Sequence, residues 1–178
     1  MTKNIFIEID KLIGKLSLMA IAIAAVALAV IATSVIWEVF ARSIFQRPTI
    51  WAMEISTYSI TIAGFLSAAY VLRQNGHLEI NLITQLMSKR TVHLLGIFTD
   101  FLAFLFCLIV VIYGTQLVEI SYLIGSVSVS ELRVDLWIPQ LAVPVGFGLL
   151  GLEFICRIFV RLGLVDRVNQ DTSPLLHG

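Results

Sequence analysis

Residues 16–37 read LSLMAIAIAAVALAVIATSVIW, 22 residues without a charged side chain. As a helix rising 1.5 Å per residue they cover about 33 Å, enough to cross a hydrocarbon core of roughly 30 Å. Backbone in lipid must satisfy its own hydrogen bonds, so the stretch is expected to be helical. Lys3, Lys11 and Lys15 precede it, as basic residues precede a secretory signal. The apolar run exceeds the roughly 7–15 residues of a signal core and no small-residue cleavage site is evident, so a retained first span is expected.

Three further runs, at 50–72, 92–123 and 136–159, reach the same length. The composition agrees, with 58% apolar and only 13% charged residues among 178, too few charges to cover a water-facing surface. The expected fold is therefore an all-α integral membrane protein, a single membrane domain over 1–178 with four transmembrane helices and a flexible tail over about 167–178. Twelve basic residues against twelve acidic ones give no net charge, which argues against nucleic acid as a partner and leaves membrane lipids as the surroundings.

Charge position carries more than charge sum. Nine of the twelve Lys and Arg lie in the N-terminal tail, the second loop and the C-terminal segment from Arg157 onward, against three in the first and third loops. The positive-inside rule then places both termini in the cytoplasm. Trp37, Trp51, Tyr122 and Trp137 fall at the opposite, outer boundary as an aromatic belt. Between spans two and three, residues 78–90 set Leu78, Leu82, Ile83, Leu86 and Met87 against Glu79, Thr84, Gln85, Ser88 and Lys89, the pattern of a short amphipathic helix on the cytoplasmic interface. A solvated linker is the alternative.

Ionisable groups in spans are costly and so are the first functional candidates. Glu38 and Arg42 are four apart at the outer end of span one and close in depth to Glu54 in span two; they read as an ion cluster joining the two spans or as a partner or substrate contact. Asp100 lies about 15 Å along its helix from Arg90 and is either an interhelical hydrogen-bonding group or a proton or sodium relay. Glu153 and Arg157, four apart, read as a pair. Cys107 and Cys156 read as packing residues, and His77, His93 and His177 all lie away from mid-membrane, which excludes bis-histidine haem ligation in the bundle. No protease, esterase or nucleotide-binding motif is present and no enzyme is expected. Ala20/Ala24, Ala25/Ala29 and Gly64/Ala68 are small residues four apart, suited to close helix contact. Pro139 fits a first helical turn, whereas Pro144 should kink span four.

Arg42, the Trp51-Ala52-Met53-Glu54 element, Gly76-His77-Leu78-Glu79-Ile80-Asn81, and Leu136-Trp137-Ile138-Pro139 followed by Ala142-Val143-Pro144-Val145-Gly146 resemble, in order and spacing, the small Q-type membrane subunit of tripartite ATP-independent periplasmic (TRAP) transporters. Asn81 stands where that family usually has an acid, and Met53-Glu54 where it often has two. The resemblance implies a small permease subunit that braces a large multi-span subunit and helps dock a periplasmic substrate-binding protein, in sodium-coupled import of an organic acid such as a dicarboxylate or sialic acid. It implies no cofactor here, with sodium expected in the large subunit, and location in the bacterial inner membrane. The structural and partner-interface residues it points to are Glu38, Arg42, Trp51, Glu54, His77, Asn81, Pro139 and Pro144. A self-contained oligomeric channel or small exporter lined by Asp100 or Glu54, and a lipid-modifying enzyme, are the competing expectations. Absence of an inverted repeat favours dependence on a partner.

Overall fold

The computed structural model describes residues 2–46, 49–74, 89–130 and 132–163. Its helices are α1 (Thr2–Phe45), α2 (Ile50–Gln74), α3 (Lys89–Ile124), α4 (Trp137–Gln140) and α5 (Ala142–Arg161). Taking α4 and α5 as one span, four helices are long and apolar enough to cross a membrane. The expected interfacial helix at 78–90 lies outside the described residues except for Lys89 and Arg90, which open α3, and so does the expected tail at 167–178.

Helix bounds depart from the apolar runs for physical reasons. The 44 residues of α1 extend well beyond 16–37, to a length of about 66 Å, because hydropathy marks contact with lipid and says nothing of where hydrogen bonding stops. The expected kink in span four is a break in the hydrogen-bond ladder only: Pro144 has no N–H to give the Gln140 carbonyl, while Leu141, between α4 and α5, keeps helical angles of φ −57° and ψ −27° and donates to Trp137 C=O at 3.1 Å.

Packing is organised by a repeat of 3.5 residues. On α1, Asp10, Ile13, Ser17, Ala20, Ala24, Ala27, Ser34 and Ala41 are buried, spaced three, four or seven apart. On α2 the matching set is Ala52, Ser59, Ala63, Leu66 and Ala69. Lipid tails are as apolar as leucine, so two such stripes associate by close van der Waals approach of small residues, with no hydrophobic drive between them. Spacing by four does not by itself name the contact face: Ala20/Ala24 lies in the stripe, whereas Ala25, Ala29 and Gly64 are exposed.

Helix α5 carries two such sets seven apart. Gly146 meets α2 at the Phe65 backbone, and Glu153 reaches Arg73 of the same helix. Pro144 and Gly151 meet α3 at Gly114 and Cys107. The helices therefore stand in a row, α1 on α2, α2 on α5 and α5 on α3, with a smaller contact of α1 on α5 around Ser17 and Glu153, and α1 and α3 form no packed interface among the described residues.

The α3–α4 connection is a small hairpin. Gly125, at φ +66°, closes α3, with Ser126 N–H on Ser121 C=O at 3.0 Å and Gly125 N–H on Tyr122 C=O at 3.2 Å, the paired bonds of a Schellman motif. Val127 then bridges Asp135 in antiparallel sense.

Two glycines on α5 test the row. A Cβ at Gly146 would stand 2.5 Å from the Phe65 carbonyl oxygen, whereas one at Gly148 meets nothing within 4 Å. Gly146→Ala is expected to cost about 1–3 kcal/mol by forcing α2 and α5 apart, and Gly148→Ala to be neutral or stabilising by up to about 1 kcal/mol. Thermal unfolding of the detergent-solubilised chain decides it, and equal melting of the two variants would contradict the packing described.

Candidate functional site

The polar side chains collect at the two ends of the row. One end, the arginine end, holds Asp10, Arg73, Asp100, Glu153, Arg157 and Arg161; the other, the tryptophan end, holds Trp37, Glu38, Arg42, Trp51, Glu54 and the hairpin.

Arg73 occupies the last turn of α2. Its Nη1 donates to Glu153 Oε1 of α5 at 3.0 Å, and its Nη2 donates to Asp10 Oδ2 and to the Asp10 carbonyl of α1 at 3.0 and 3.2 Å. Ser17 Oγ adds a bond to Glu153 Oε1 at 2.9 Å. Glu153 is fully buried, so its charge is tolerated only because a planar, permanently ionised guanidinium faces it. Gly14 makes the approach possible, since a Cβ there would lie 2.9 Å from Arg73 Nη2.

A second pairing joins α3 to α5. Asp100 Oδ2 lies 2.8 Å from Arg161 Nε and 3.9 Å from Arg157 Nε. The contact with Arg161 is an ion pair and not an aligned hydrogen bond. Gly96, one turn before Asp100, leaves the space that the Arg161 guanidinium fills. Three carboxylates and three arginines thus converge at one end of the row and bind all four spans together.

Glu153 and Arg157 read as a pair by spacing, yet the structure directs Glu153 to Arg73 and Arg157 towards Asp100. Four residues on an α-helix overshoot a full turn by roughly 40°, so the stripe drifts from the α2 side of α5 to its α3 side between 153 and 161. Arg73 counted in the sequence only as a loop charge. The signal that identifies it is the register of the two stripes: Asp10 precedes Ile13 and Ser17 on α1 by three and seven residues, and Arg73 follows Ala69 and Leu66 on α2 by four and seven.

At the tryptophan end, Glu38 Oε1 accepts from Arg42 Nη2 at 2.9 Å, and Glu38 Oε2 accepts from the backbone N–H of Thr49 at 2.8 Å and from its hydroxyl. Glu38 thereby holds the residue before α2 against α1. Glu54 belongs to another network, accepting from Tyr58 Oη at 2.6 Å and from the hydroxyl of Ser130 in the hairpin. No ion pair joins Arg42 to Glu54. Trp51 is exposed in the first turn of α2, and Tyr122 packs edge-on against Trp137 with centroids 5.8 Å apart. Pro139 and Pro144 are buried at either side of the break. His77 and Asn81 lie outside the described residues. The described residues contain no group of three or more His, Cys, Asp or Glu that could hold a metal ion.

Residues 31–163, well over half of the chain, match the family model described as "Tripartite ATP-independent periplasmic transporters, DctQ component". The match takes in Arg73, Asp100, Glu153, Arg157 and Arg161 and stops short of Asp10 and Ser17. No curated protein matches the chain.

Removing Arg73 strands two buried carboxylates, whereas removing one carboxylate leaves Arg73 with the other. Arg73→Met is expected to destabilise the chain by about 3–5 kcal/mol, and Asp10→Asn by clearly less. Thermal unfolding and the yield of folded, membrane-extracted protein measure both; an Arg73→Met variant as stable as the parent would remove the cluster's structural role.

Proposed function

Since the chain belongs to the DctQ family of TRAP transporter components, multi-pass membrane transport subunits and not enzymes, we propose that it is the stationary small permease subunit of a sodium-coupled importer of an organic acid in the bacterial inner membrane. By family its partners are the large membrane component, DctM, and a periplasmic binding protein. The carboxylate carried, such as a dicarboxylate or sialic acid, and the coupling sodium would be held by the large component.

The observation that carries this reading is the row. Four helices side by side enclose no lumen among the described residues, and only 11% to 28% of each spanning segment is buried within the chain. A carrier that alternates access needs a central site between moving halves. A row fixed across its width by ion pairs at one end is suited to bearing against another protein. Asp100, one of the two residues expected to line a pore, is buried beside Arg161, and this favours the scaffold over a channel or exporter lined by it.

The arginine end is then cytoplasmic, with both termini inside, and the tryptophan end faces the periplasm. In that orientation Glu38 with Arg42, Trp51 and Glu54 with the 125–136 hairpin contribute to the surface on which the binding protein docks. His77, Asn81 and an interfacial helix over 78–90 would anchor the cytoplasmic side, and the break between Pro139 and Pro144 shapes the face offered to the large component.

Expressed with the neighbouring large component, the tagged chain is expected to co-purify with it in fixed ratio, and alone in liposomes to transport no organic acid with sodium. Asp100→Asn should lower recovery of the assembled complex while leaving the sodium dependence of uptake unchanged. Sodium-driven uptake by the chain alone, or loss of coupling in a fully assembled Asp100→Asn complex, would overturn the assignment.

A further inference from the structure

Toward the tryptophan end, α1 and α2 part to leave an open groove of about 340 Å³, walled by Ile31, Val35 and Val39 of α1 and by Met53, Thr57 and Ile60 of α2. It forms where the contact stripe supplies only Ser34, Ala52 and Ser56, side chains too small to fill the space between the helices. Val35, Val39, Met53, Thr57 and Ile60 are exposed, so the groove opens sideways, towards the bilayer.

The polar groups along it are engaged within the chain. Ser56 Oγ donates to the Ala52 carbonyl at 2.7 Å and Thr57 Oγ1 to the Met53 carbonyl at 2.9 Å. Glu38, at the end of the groove, accepts from Arg42 and Thr49. To an occupant the groove therefore presents an apolar slot. From Ile31 to Glu38 it runs seven residues, about 10 Å along α1, from the hydrocarbon to the level of the exposed Trp37 and Trp51.

One turn beyond Glu38, which lines the end of the groove, stands Arg42. Its side chain is 63% exposed, and Glu38 takes one N–H while fixing the position of the guanidinium, which keeps further donors for a second anion. A guanidinium fork matches the paired oxygens of a phosphate. Shape distinguishes the occupants: a thin flexible chain fills such a slot along its length, whereas a packed helix enters it only with individual side chains.

We propose that this groove is a phospholipid site, in which an acyl chain of a bilayer phospholipid lies between α1 and α2 and its phosphate is bound by Arg42. The inference needs only that these helices span a membrane, and it stands apart from the transport reading. A lipid so placed continues the α1–α2 contact where the protein's own side chains leave it incomplete.

The full chain, extracted from membranes in mild detergent, is examined by native mass spectrometry for retained phospholipid, alongside Arg42→Gln and Thr57→Phe. Thr57 is exposed on the groove wall, so a phenylalanine there fills the slot without entering the buried stripe; should that variant melt below the parent, Met53→Trp replaces it. The parent is expected to retain one phospholipid, Arg42→Gln to hold it about tenfold more weakly, and the groove-filling variant to release it. A parent that retains none, or retention unchanged in both variants, overturns the proposal. Shielding of Thr57→Cys from a maleimide only when the large component is co-expressed would name that protein as the occupant and overturn it equally.

Discussion

The arrangement depends on one largely buried cation. Arg73 sits where the ends of α1, α2 and α5 meet, and its guanidinium spans the gap between Asp10 and Glu153. Stripes of alanine and serine tolerate sliding, because one small residue resembles the next and lipid supplies no penalty for a slipped register. A buried carboxylate does not tolerate it: moving α1 by one turn would separate Asp10 from Arg73 and leave the Asp10 carboxylate uncompensated in a medium of low dielectric. The ion pairs thus add specificity of register more than net stability, and the small residues provide the closeness that brings the charges within reach. Gly14 and Gly96 show the dependence in the other direction, since each arginine reaches its carboxylate across a position where any side chain would obstruct it.

The row follows from how many contact stripes each helix carries. The buried residues of α1 fall on a single stripe, facing α2 and, at Ser17, Glu153 of α5. Helix α5 carries two, with Gly146 and Glu153 towards α2 and Pro144 and Gly151 towards α3, and so it stands between neighbours. Helix α3 exposes Phe98, Phe101, Leu102, Leu105, Leu108, Ile109 and Ile112 on its remaining surface. A compact four-helix bundle would need a second stripe on α1 or α3 to close the ring.

Much of this was legible in the sequence. The spans were, because crossing 30 Å of hydrocarbon demands about 20 apolar residues and nothing else in a chain this short imitates that signal. Pairing of Glu38 with Arg42 was legible because both lie on one helix. The partners of Asp100, Glu153 and Arg73 were not, since they come from helices far apart in sequence and depend on a rotation of roughly 40° every four residues, which spacing within one helix does not report. Glu54 was grouped by depth with Arg42, yet it bonds Ser130, which a hairpin 76 residues later brings back over α2. Pro144 announced a disturbance but not its form, since whether a helix bends or breaks depends on what packs around it, here Gly114 of α3.

Fastening at both ends bears on what such a chain can do. At the arginine end, salt bridges join all four spans; at the tryptophan end, Glu38 holds the α1–α2 turn and Glu54 holds the hairpin to α2. Between them α1 and α2 meet mainly through alanines and serines, and Phe65, Phe106 and Phe147 pack where α2 and α3 meet α5. Relative sliding of these helices would break ion pairs at one boundary and hydrogen bonds at the other, so the row resists the very motion that alternating access requires. A partner that slides along it would find a surface already held in place. Rigidity in this chain and movement in its neighbour is the division of labour that the proposed scaffold role requires.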